Sequence, residues 1–256
     1  MSNDLLYERQ DRIEWITLNN PTKRNCLTVD MVVDLEAHLC EMSSVDVGAV
    51  IIQSTGNTFC TGMDVNEFVN LDTPGAIHLM SVLEKLFHTI RTIPQGVVVA
   101  VQGHCMGAAM ELAAAADIRV ATRDAEFSMP EILIGLPSVL DAALLPQYIG
   151  LSLTKEMLLT GRPISGQRIY EAGFLNKIVE ADELARTAKQ FAQDIARHAP
   201  VTVERQKLLH EIWNQCSFDV AGQYSMREFA LAFDTEIPAQ KLETFFKRKG
   251  TIEFKD

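Results

Sequence analysis

Two glutamates in apolar surroundings are the side chains of this sequence best suited to proton transfer. Glu111 stands among apolar neighbours in residues 107–116, and Glu131 follows Met129 and Pro130. A carboxylate in such surroundings is costly to bury unless it is paired, protonated or part of a reaction. Both are therefore candidate catalytic groups, although Glu111 taken by itself also fits a hydrogen-bonded helix residue.

The segment that precedes Glu111 offers a second chemical group, a backbone N–H. Residues 97–101 are continuously apolar, which is typical of a strand buried on both faces. Gly107 then opens residues 108–116, which consist almost entirely of strong helix formers. The first amides of a helix have no partner within it and carry the positive end of its dipole. The amide of Ala108 can therefore hold developing negative charge, and Glu111 lies on the same helix face.

Composition limits the class of protein. The chain has 256 residues, 47% of them hydrophobic, which is enough for one large domain or a domain with a smaller appendage. The net charge of −11 argues against a nucleic-acid surface. No basic segment followed by an apolar core opens the sequence, and no apolar run approaches the roughly 18 residues of a membrane span. We expect a cytoplasmic protein that binds neither nucleic acid nor membrane.

The cysteines and His104 have plain structural explanations. The five cysteines are scattered without a CxxC pair, so neither a disulfide framework nor a metal site is indicated. Cys60 and Cys105 have no adjacent histidine–carboxylate pair that would lower a thiol pKa, so we interpret them as loop or core residues. His104 is a weaker candidate base, because a histidine beside a buried strand is more often a hydrogen-bonded structural residue.

Periodicity and turn residues predict an α/β fold in which strand, loop and helix repeat. Two strands, Leu5–Gln10 and Ile13–Leu18, form a hairpin; Thr28 caps a helix that ends at Ser43. A strand at 47–53 and a helix at 73–92 follow. This order indicates β-β-α units and a partly parallel sheet. Ser138 is predicted to cap a helix through Tyr148, with Asp141 in the capping-box position.

The remainder of the chain is predicted to be almost wholly helical. The expected helices are residues 151–160, 165–172, 181–197, 201–214, 218–232 and 238–248, with a short strand near 175–180.

Several motifs, in their order and spacing, resemble the crotonase family of enoyl-CoA hydratases and isomerases over nearly the whole chain. They are KRNCL at residues 23–27, the loop at 57–64 that includes FCTGMD, GHCMGAAME at 103–111, the pair Pro130-Glu131, and a terminal helix rich in Phe and Lys at 238–249. Each motif is weak when taken separately, and their combination is specific.

The resemblance implies the family's fold and assembly. We expect a crotonase-like spiral of β-β-α units with a helical C-terminal region that mediates trimers, often paired into hexamers. The implied division is a core with the thioester site at residues 1–195 and a helical region at 196–256. No separate cofactor or metal is implied, since CoA is part of the acyl-CoA substrate.

The resemblance also assigns roles to residues of this sequence. The thioester oxygen would be held by the backbone amides of Met63 and Ala108, and Glu111 and Glu131 would be the catalytic pair. Residues matching CoA- or substrate-binding positions are Lys23, Arg24, Cys26, Thr61, Gly62, Asp64, Val65, Gly107, Pro130, Gly135, Phe245 and Lys247. Gly62 and Gly107 also fit simple requirements of tight turns.

Two departures from the family pattern affect the expected site. Asn66 stands where some hydratases have a lysine that contacts phosphate. After Glu131, many hydratases have a glycine-rich turn, whereas this chain has a shorter GLPSVLD at residues 135–141. The wall beside Glu131 is therefore expected to differ, which bears on the substrate and on the position of water.

The sequence leaves three functions open. The first is reversible hydration of an enoyl-CoA, in which Glu131 exchanges the α-proton and Glu111 positions and deprotonates water. The second is a double-bond isomerase or another acyl-CoA lyase or hydrolase of the same family. The third, from a different class, is a non-catalytic CoA-binding scaffold, against which the presence of both glutamates argues.

Overall fold

The computed structural model describes residues 4–42 and 46–247. The chain divides into two compact units, Met1–Pro200 and Val201–Asp256. The functional division into residues 1–195 and 196–256 stays a prediction. Within the described ranges, the structure contains no helix that combines the length and the apolar character needed to cross a lipid bilayer.

The first unit alternates strands and helices. Its strands are β1 (Leu5–Gln10), β2 (Ile13–Leu18), β3 (Ala49–Ser54), β4 (Gly96–Val101), β5 (His104–Met106), β6 (Ile118–Thr122), β7 (Glu126–Ser128), β8 (Ile164–Ser165) and β9 (Lys177–Val179). Its α-helices are α1 (Val29–Glu41), α2 (Thr73–Thr92), α3 (Ala108–Ala115), α4 (Leu145–Thr160), α5 (Gly166–Glu171) and α6 (Leu184–Ala196). Short 3₁₀ helices span Pro21–Lys23, Val65–Phe68, Glu131–Ile134, Leu140–Leu144 and Ala181–Glu183.

The strands form one large and one small sheet. The six-stranded sheet has the order β1-β2-β3-β4-β6-β9, and the three-stranded sheet has the order β5-β7-β8. Only the β1–β2 pair of the large sheet is antiparallel, while the pairs β2–β3, β3–β4, β4–β6 and β6–β9 are parallel. The predicted hairpin and the partly parallel sheet are therefore confirmed.

Both faces of the large sheet are covered, which explains the uninterrupted apolar run of β4. Val97, Val99 and Val101 belong to the apolar cluster that includes α1, α2 and α3. Val98 and Ala100 belong to the cluster on the opposite face, which is closed by α6. Because adjacent side chains of a strand point to opposite faces, a strand with two covered faces needs apolar residues at every position.

The predicted beginning of α1 is confirmed. The hydroxyl of Thr28 accepts a hydrogen bond of 3.2 Å from the amide of Met31, so Thr28 is the N-cap. The predicted end at Ser43 lies outside the described residues.

The prediction that Ser138 begins a helix is wrong. Residues Leu140–Leu144 are a 3₁₀ helix without a side-chain cap, and α4 begins at Leu145. Asp141 forms an ion pair with Arg91 of α2, and the hydroxyl of Ser138 donates to Glu131. Both side chains are therefore engaged by distant residues instead of by a capping box.

The second unit consists of helices. Its helical segments are α7 (Pro200–Gln215), α8 (Phe218–Ala232) and α9 (Ile237–Lys247). The predicted helical pattern of this part of the chain is confirmed, while residues 248 and 249 of the last predicted helix lie outside the described residues.

Candidate active site

A cavity of about 620 Å³ in the first unit contains both glutamates. Two backbone segments, at Gly62-Met63 and Gly107-Ala108, form its polar end together with Glu111 and Glu131. The remaining wall comes largely from apolar side chains of α2, of the segment before it, and of the chain after Glu131. The arrangement therefore combines a small number of groups able to transfer protons or donate hydrogen bonds with a mainly apolar space.

The loop with Met63 runs beside the segment that leads into α3. The amide of Cys60 donates to His104 at 3.0 Å, and the amide of Met106 donates back to Cys60 at 3.1 Å. These backbone bonds place the loop parallel to β5 and fix it against the beginning of α3. The positions of Met63 and Ala108 are therefore determined by backbone pairing.

The backbone of Met63 has a defined direction. Leu27 donates to the carbonyl of Gly62 at 2.8 Å and accepts from the amide of Asp64 at 2.7 Å. Because successive backbone groups of an extended chain alternate in direction, the amide of Met63 points away from Leu27. Met63 also lines the cavity, so its N–H is a candidate donor to a ligand there.

Glycine is required at both turns that carry these amides. Gly107 has φ 56° and ψ −127°, a conformation strongly unfavourable for residues with a Cβ. A Cβ at Gly107 would lie 2.7 Å from Oε1 of Glu131. At Gly62, with φ 86°, a Cβ would lie 2.8 Å from the carbonyl oxygen of Met106 and 3.3 Å from the amide nitrogen of Ala108. The glycines therefore let the two donor segments and Glu131 approach closely.

Glu111 is a buried acid with little solvation. Its exposed fraction is 4%, and Oε1 has no hydrogen-bond partner among the residues that the structure describes. Burial, followed by the charges of Glu131 and Asp141, raises the pKa of Glu111 to about 8, while a hydrogen bond from the amide of Ala142 acts in the opposite direction. In the free protein at neutral pH, Glu111 is therefore mainly a neutral carboxylic acid that can donate a proton.

Glu131 is held differently, by a hydroxyl. Ser138 donates to its Oε2 at 2.9 Å. Burial raises the pKa of Glu131, and hydrogen bonds from its own backbone amide and from Ser138 offset only part of this rise. The two glutamates thus have unlike environments, since Glu111 is more deeply buried and its Oε1 has no partner among the described residues, whereas Oε2 of Glu131 accepts from a side-chain hydroxyl. Such a difference separates the two groups into an acid and a base.

The ion pair of Arg91 and Asp141 fixes the segment next to Glu111. Asp141 lies in the 3₁₀ helix Leu140–Leu144, and the amide of the next residue, Ala142, donates a hydrogen bond to Glu111. The side chains of the pair are 16% and 10% exposed, so water screens their attraction little. The pair therefore anchors this segment to α2 and holds a negative charge near Glu111.

The structure brings most of the sequence-predicted site residues together. Those that line the cavity are Thr61, Gly62, Met63, Val65, Gly107, Ala108, Glu111, Pro130 and Glu131. Lys23, Arg24, Cys26, Asp64 and Gly135 lie outside this lining, although Asp64 and Gly135 are next to lining residues. Phe245 and Lys247 belong to α9 of the second unit.

The predicted CoA-binding residues between β2 and α1 lie close to the segment that carries Met63. Nζ of Lys23 is 3.6 Å from Oδ2 of Asp64, and Asp64 also accepts from the amide and the side chain of Asn66. Arg24 is exposed and has φ 53°. Cys26 is half-buried, and burial together with the charge of Asp64 raises its pKa. This loop thus presents Lys23 and Arg24 to solvent beside the segment that carries Met63.

The cysteine and histidine interpretations agree with the observed surroundings. Burial raises the pKa of Cys60 to about 12 and that of Cys105 well above its ordinary value. Both thiols are therefore poor nucleophiles. Nε2 of His104 is 3.5 Å from Oε2 of Glu126, and His104 is not one of the residues that line the cavity.

The wall formed by α2 and the contact of Ser138 with Glu131 are not among the predictions from the sequence. One face of α2 contributes Ala76, Leu79, Met80 and Leu83, a spacing of three and four residues that marks one side of a helix. The sequence contains this apolar spacing, but the spacing does not show that this face of α2 lines a cavity. The contact of Ser138 with Glu131 had no local signal, because it depends on the path of the chain between them.

Comparison with known proteins identifies the family. The family model described as enoyl-CoA hydratase/isomerase matches residues 8–240. The chain belongs to this family. Its curated relatives include the short-chain-enoyl-CoA hydratase of Clostridium acetobutylicum, 28% identical over 99% of this chain and 98% of that protein. They also include the 2,3-dehydroadipyl-CoA hydratase of Escherichia coli, 28% identical over 99% of both chains.

Solved structures of the enoyl-CoA hydratase/isomerase family have the same fold. An enoyl-CoA hydratase from Mycobacterium smegmatis superposes with a TM-score of 0.91 at 25% identity, over 98% of this chain and 99% of that one. A structure titled putative enoyl-CoA hydratase from Streptomyces coelicolor gives a TM-score of 0.90 at 26% identity, over 99% and 94%. The crotonase-like fold expected from the sequence motifs is confirmed.

Proposed function

We propose that this protein is an enoyl-CoA hydratase, a hydro-lyase that adds water reversibly across the 2,3 double bond of an acyl-CoA thioester. The observation that carries the proposal is the placement of two glutamates with unlike surroundings in one cavity, beside the amides of Met63 and Ala108. The names of the relatives, which include short-chain-enoyl-CoA hydratase and crotonyl-CoA hydratase, support the same reaction.

The two amides have the chemistry that the thioester needs. Addition of water at the β-carbon places negative charge on the thioester oxygen as an enolate forms. Fixed N–H donors stabilise that charge without having to reorganise during the reaction. In the proposal, Met63 and Ala108 donate to this oxygen, and Glu111, one helical turn after Ala108, lies beside the reacting carbons.

The two carboxyl groups then exchange protons with the substrate. In hydration, ionised Glu111 takes a proton from water while the water oxygen bonds to the β-carbon, and protonated Glu131 gives its proton to the α-carbon. In dehydration, ionised Glu131 removes the α-proton, and protonated Glu111 gives a proton to the departing hydroxyl. Each direction uses one proton on the pair and leaves one proton on the pair, so the protons balance.

The different surroundings of Glu111 and Glu131 favour one of these two protonation states in the free protein. With the pKa of Glu111 raised to about 8, the shared proton resides mainly on Glu111 at neutral pH. This is the state from which dehydration starts, while hydration starts once the proton has moved to Glu131. No electron or group carrier is needed, because water addition changes neither the oxidation state of a cofactor nor the attachment of the acyl group.

Incubation of the purified protein with a set of enoyl-CoA thioesters tests the proposal. Mass spectrometry should detect a product heavier than the substrate by one water. A product of unchanged mass and altered retention would instead identify a double-bond isomerase. Recovery of every thioester unchanged, with binding intact, would identify a non-catalytic CoA-binding protein and overturn the proposal.

Removal of the Ser138 hydroxyl is expected to shift the pH dependence of the reaction. In Ser138→Ala, Glu131 loses the donor that stabilises its ionised form, so its pKa rises further. The acid limb of the kcat/KM profile for dehydration should therefore move to higher pH, while the alkaline limb, set near pH 8 by Glu111, moves much less. Ser138→Thr keeps a hydroxyl and serves as the control. An unchanged acid limb in Ser138→Ala would exclude this role.

CoA binding and assembly complete the proposal. Lys23 and Arg24, on the loop beside Met63, are proposed to contact the phosphates and adenine of CoA, and Phe245 and Lys247 are proposed to contact CoA in a neighbouring subunit.

A homotrimer or a dimer of trimers is expected on the basis of the family resemblance. Five free cysteines favour a reducing cytoplasm. Light scattering that gave the mass of one 28.5 kDa chain at every concentration would contradict the assembly.

A further inference from the structure

The residues that line the cavity restrict which acyl chains can bind, whereas the reaction itself requires only the thioester and its double bond. Beyond the two glutamates, one wall is the face of α2 with Leu79, Met80 and Leu83. Another part of the lining follows Glu131 and includes Leu133, Ile134 and Val139, which are 68%, 57% and 38% exposed, so this side of the cavity is open to solvent. A substrate whose α- and β-carbons lie at the glutamates must extend its acyl chain along these parts of the lining.

The apolar walls contain no cation to meet a charged acyl terminus. Among the residues that the structure describes, the cavity lining includes no lysine, arginine or histidine. Its ionisable groups are Glu111 and Glu131, which are themselves acids of raised pKa. A carboxylate at the end of the acyl chain would lose part of its hydration against the buried α2 wall, would find no positive partner in the lining and would be repelled by any negative charge on the pair.

The buried side of the lining favours apolar acyl carbons beyond the double bond. Leu79 and Leu83 are 3% and 2% exposed and belong to the main core, so this wall is held by the packing of the core. Each additional methylene that leaves water for such a wall favours binding of the substrate and of its transition state. A four-carbon acyl group would leave much of this apolar surface without contact.

We infer that the acyl group of the substrate is an uncharged, apolar chain of more than four carbons, bound along α2 and the segment after Glu131, and that acyl chains ending in a carboxylate are disfavoured. The inference rests on the proposed hydratase function and specifies its substrate class. The relatives include both a short-chain-enoyl-CoA hydratase and a 2,3-dehydroadipyl-CoA hydratase at 28% identity, so overall similarity does not choose between these classes. The lining of this cavity does.

A matched pair of substrates isolates the charge. Hex-2-enoyl-CoA and 2,3-dehydroadipyl-CoA have acyl chains of equal carbon number and differ in a terminal methyl against a terminal carboxylate. We expect kcat/KM for the methyl compound to be higher by about tenfold or more, because the carboxylate is partly desolvated and has no positive partner in the lining. From crotonyl-CoA to oct-2-enoyl-CoA, kcat/KM should rise by up to about fourfold for each methylene.

A substitution at Met80 tests the location of the chain. Met80 is partly buried on the α2 wall, so an arginine there can place its charge in the cavity while its stem replaces the methionine. Met80→Arg should reduce the preference for hex-2-enoyl-CoA over 2,3-dehydroadipyl-CoA by at least about tenfold. Met80→Gln, similar in length and uncharged, should preserve the preference. Because the readout is a ratio, a general loss of activity cancels.

The outcomes separate this inference from the function on which it rests. Hydration of 2,3-dehydroadipyl-CoA at a rate within about threefold of hex-2-enoyl-CoA would overturn the substrate class and leave the hydratase function standing. A preference unchanged in both Met80 variants would overturn the placement of the chain along α2. Failure to hydrate any enoyl-CoA would instead reject the proposed function itself.

Discussion

Replacement of either Glu111 or Glu131 by glutamine is expected to lower kcat/KM for hydration by about 10²–10⁴. The amide keeps the size of the side chain but cannot exchange the proton that each half of the reaction requires. Thioester binding should largely survive, because the donor amides of Met63 and Ala108 remain. The double variant should lose little more than the slower single variant, since the two groups act on one proton and their effects are not additive.

Kinetics and binding have to be measured together for this result. Initial rates with a competent enoyl-CoA give the loss in turnover, and calorimetry with the saturated acyl-CoA gives the affinity. Glu126→Gln is the matched control, because Glu126 is an exposed glutamate on β7 that pairs with His104, and neither residue lines the cavity. If both single variants hydrate substrate at the parent rate, the mechanism with two carboxyl groups must be abandoned.

The stability of Glu111→Gln distinguishes lost chemistry from lost folding. The pKa of Glu111 is raised from 4.5 to about 8 in the folded protein, so the folded state binds the proton more tightly than the unfolded state. This contribution to stability is complete below pH 4.5 and is lost as pH rises through about 8. Glutamine does not ionise. Denaturant unfolding at pH 8.5 should therefore find Glu111→Gln more stable than the parent, by up to a few kcal/mol at about 1.4 kcal/mol per pKa unit. A less stable variant would contradict the burial of an unpaired acid.

The parts of the fold that the sequence predicted are those governed by local rules. The two strands of the β1–β2 hairpin, the N-cap at Thr28 and the bounds of α2 each follow from residues within one element. The continuous apolar run of β4 likewise requires two covered faces, whichever elements cover them. Local signals of this kind do not depend on the remainder of the chain.

Ser138 illustrates where local rules fail. A serine followed three residues later by an acid fits the beginning of a helix, and this spacing predicts a helix that begins after Ser138. In the structure, Asp141 is paired with Arg91, which is 50 positions away, and Leu140 takes a positive φ of 46°. Partners brought together by tertiary folding compete with capping, and sequence spacing does not report them. The hydrogen bond from Ser138 to Glu131 has the same origin.

The candidate site was predictable in part for a similar reason. Gly107, Ala108 and Glu111 lie on one continuous turn of chain, so their relation follows from helix geometry. The cavity walls join α2 to the segment after Glu131, and only the fold brings these together. The chemistry of the site was therefore accessible from sequence, whereas the shape that selects the acyl chain required the structure.

Substitution of Ala108 by proline is expected to abolish most hydration while Ala108→Gly retains it. Ala108 is the first residue of α3, a position where the fixed φ of proline is acceptable and no intrahelical hydrogen bond is lost. Folding should therefore survive. Proline removes the N–H and places a ring carbon where the hydrogen was, so the enolate oxygen loses a donor. Loss of one such donor costs on the order of 10²–10³ in turnover, about 2.7–4 kcal/mol.

Ala108→Gly supplies the matched comparison, because it keeps the amide and removes a small side chain that is 6% exposed. Its cost should be limited to the lower helix propensity of glycine, about 1 kcal/mol of stability, with turnover close to that of the parent. Circular dichroism and light scattering establish that both variants fold and assemble alike, and initial rates then compare them. If Ala108→Pro is folded, assembles as the parent does and turns over substrate as fast as Ala108→Gly, the Ala108 amide does not hold the enolate oxygen. The cavity between α2 and α3 would then have to bind the thioester in another orientation, with its carbonyl away from the beginning of α3.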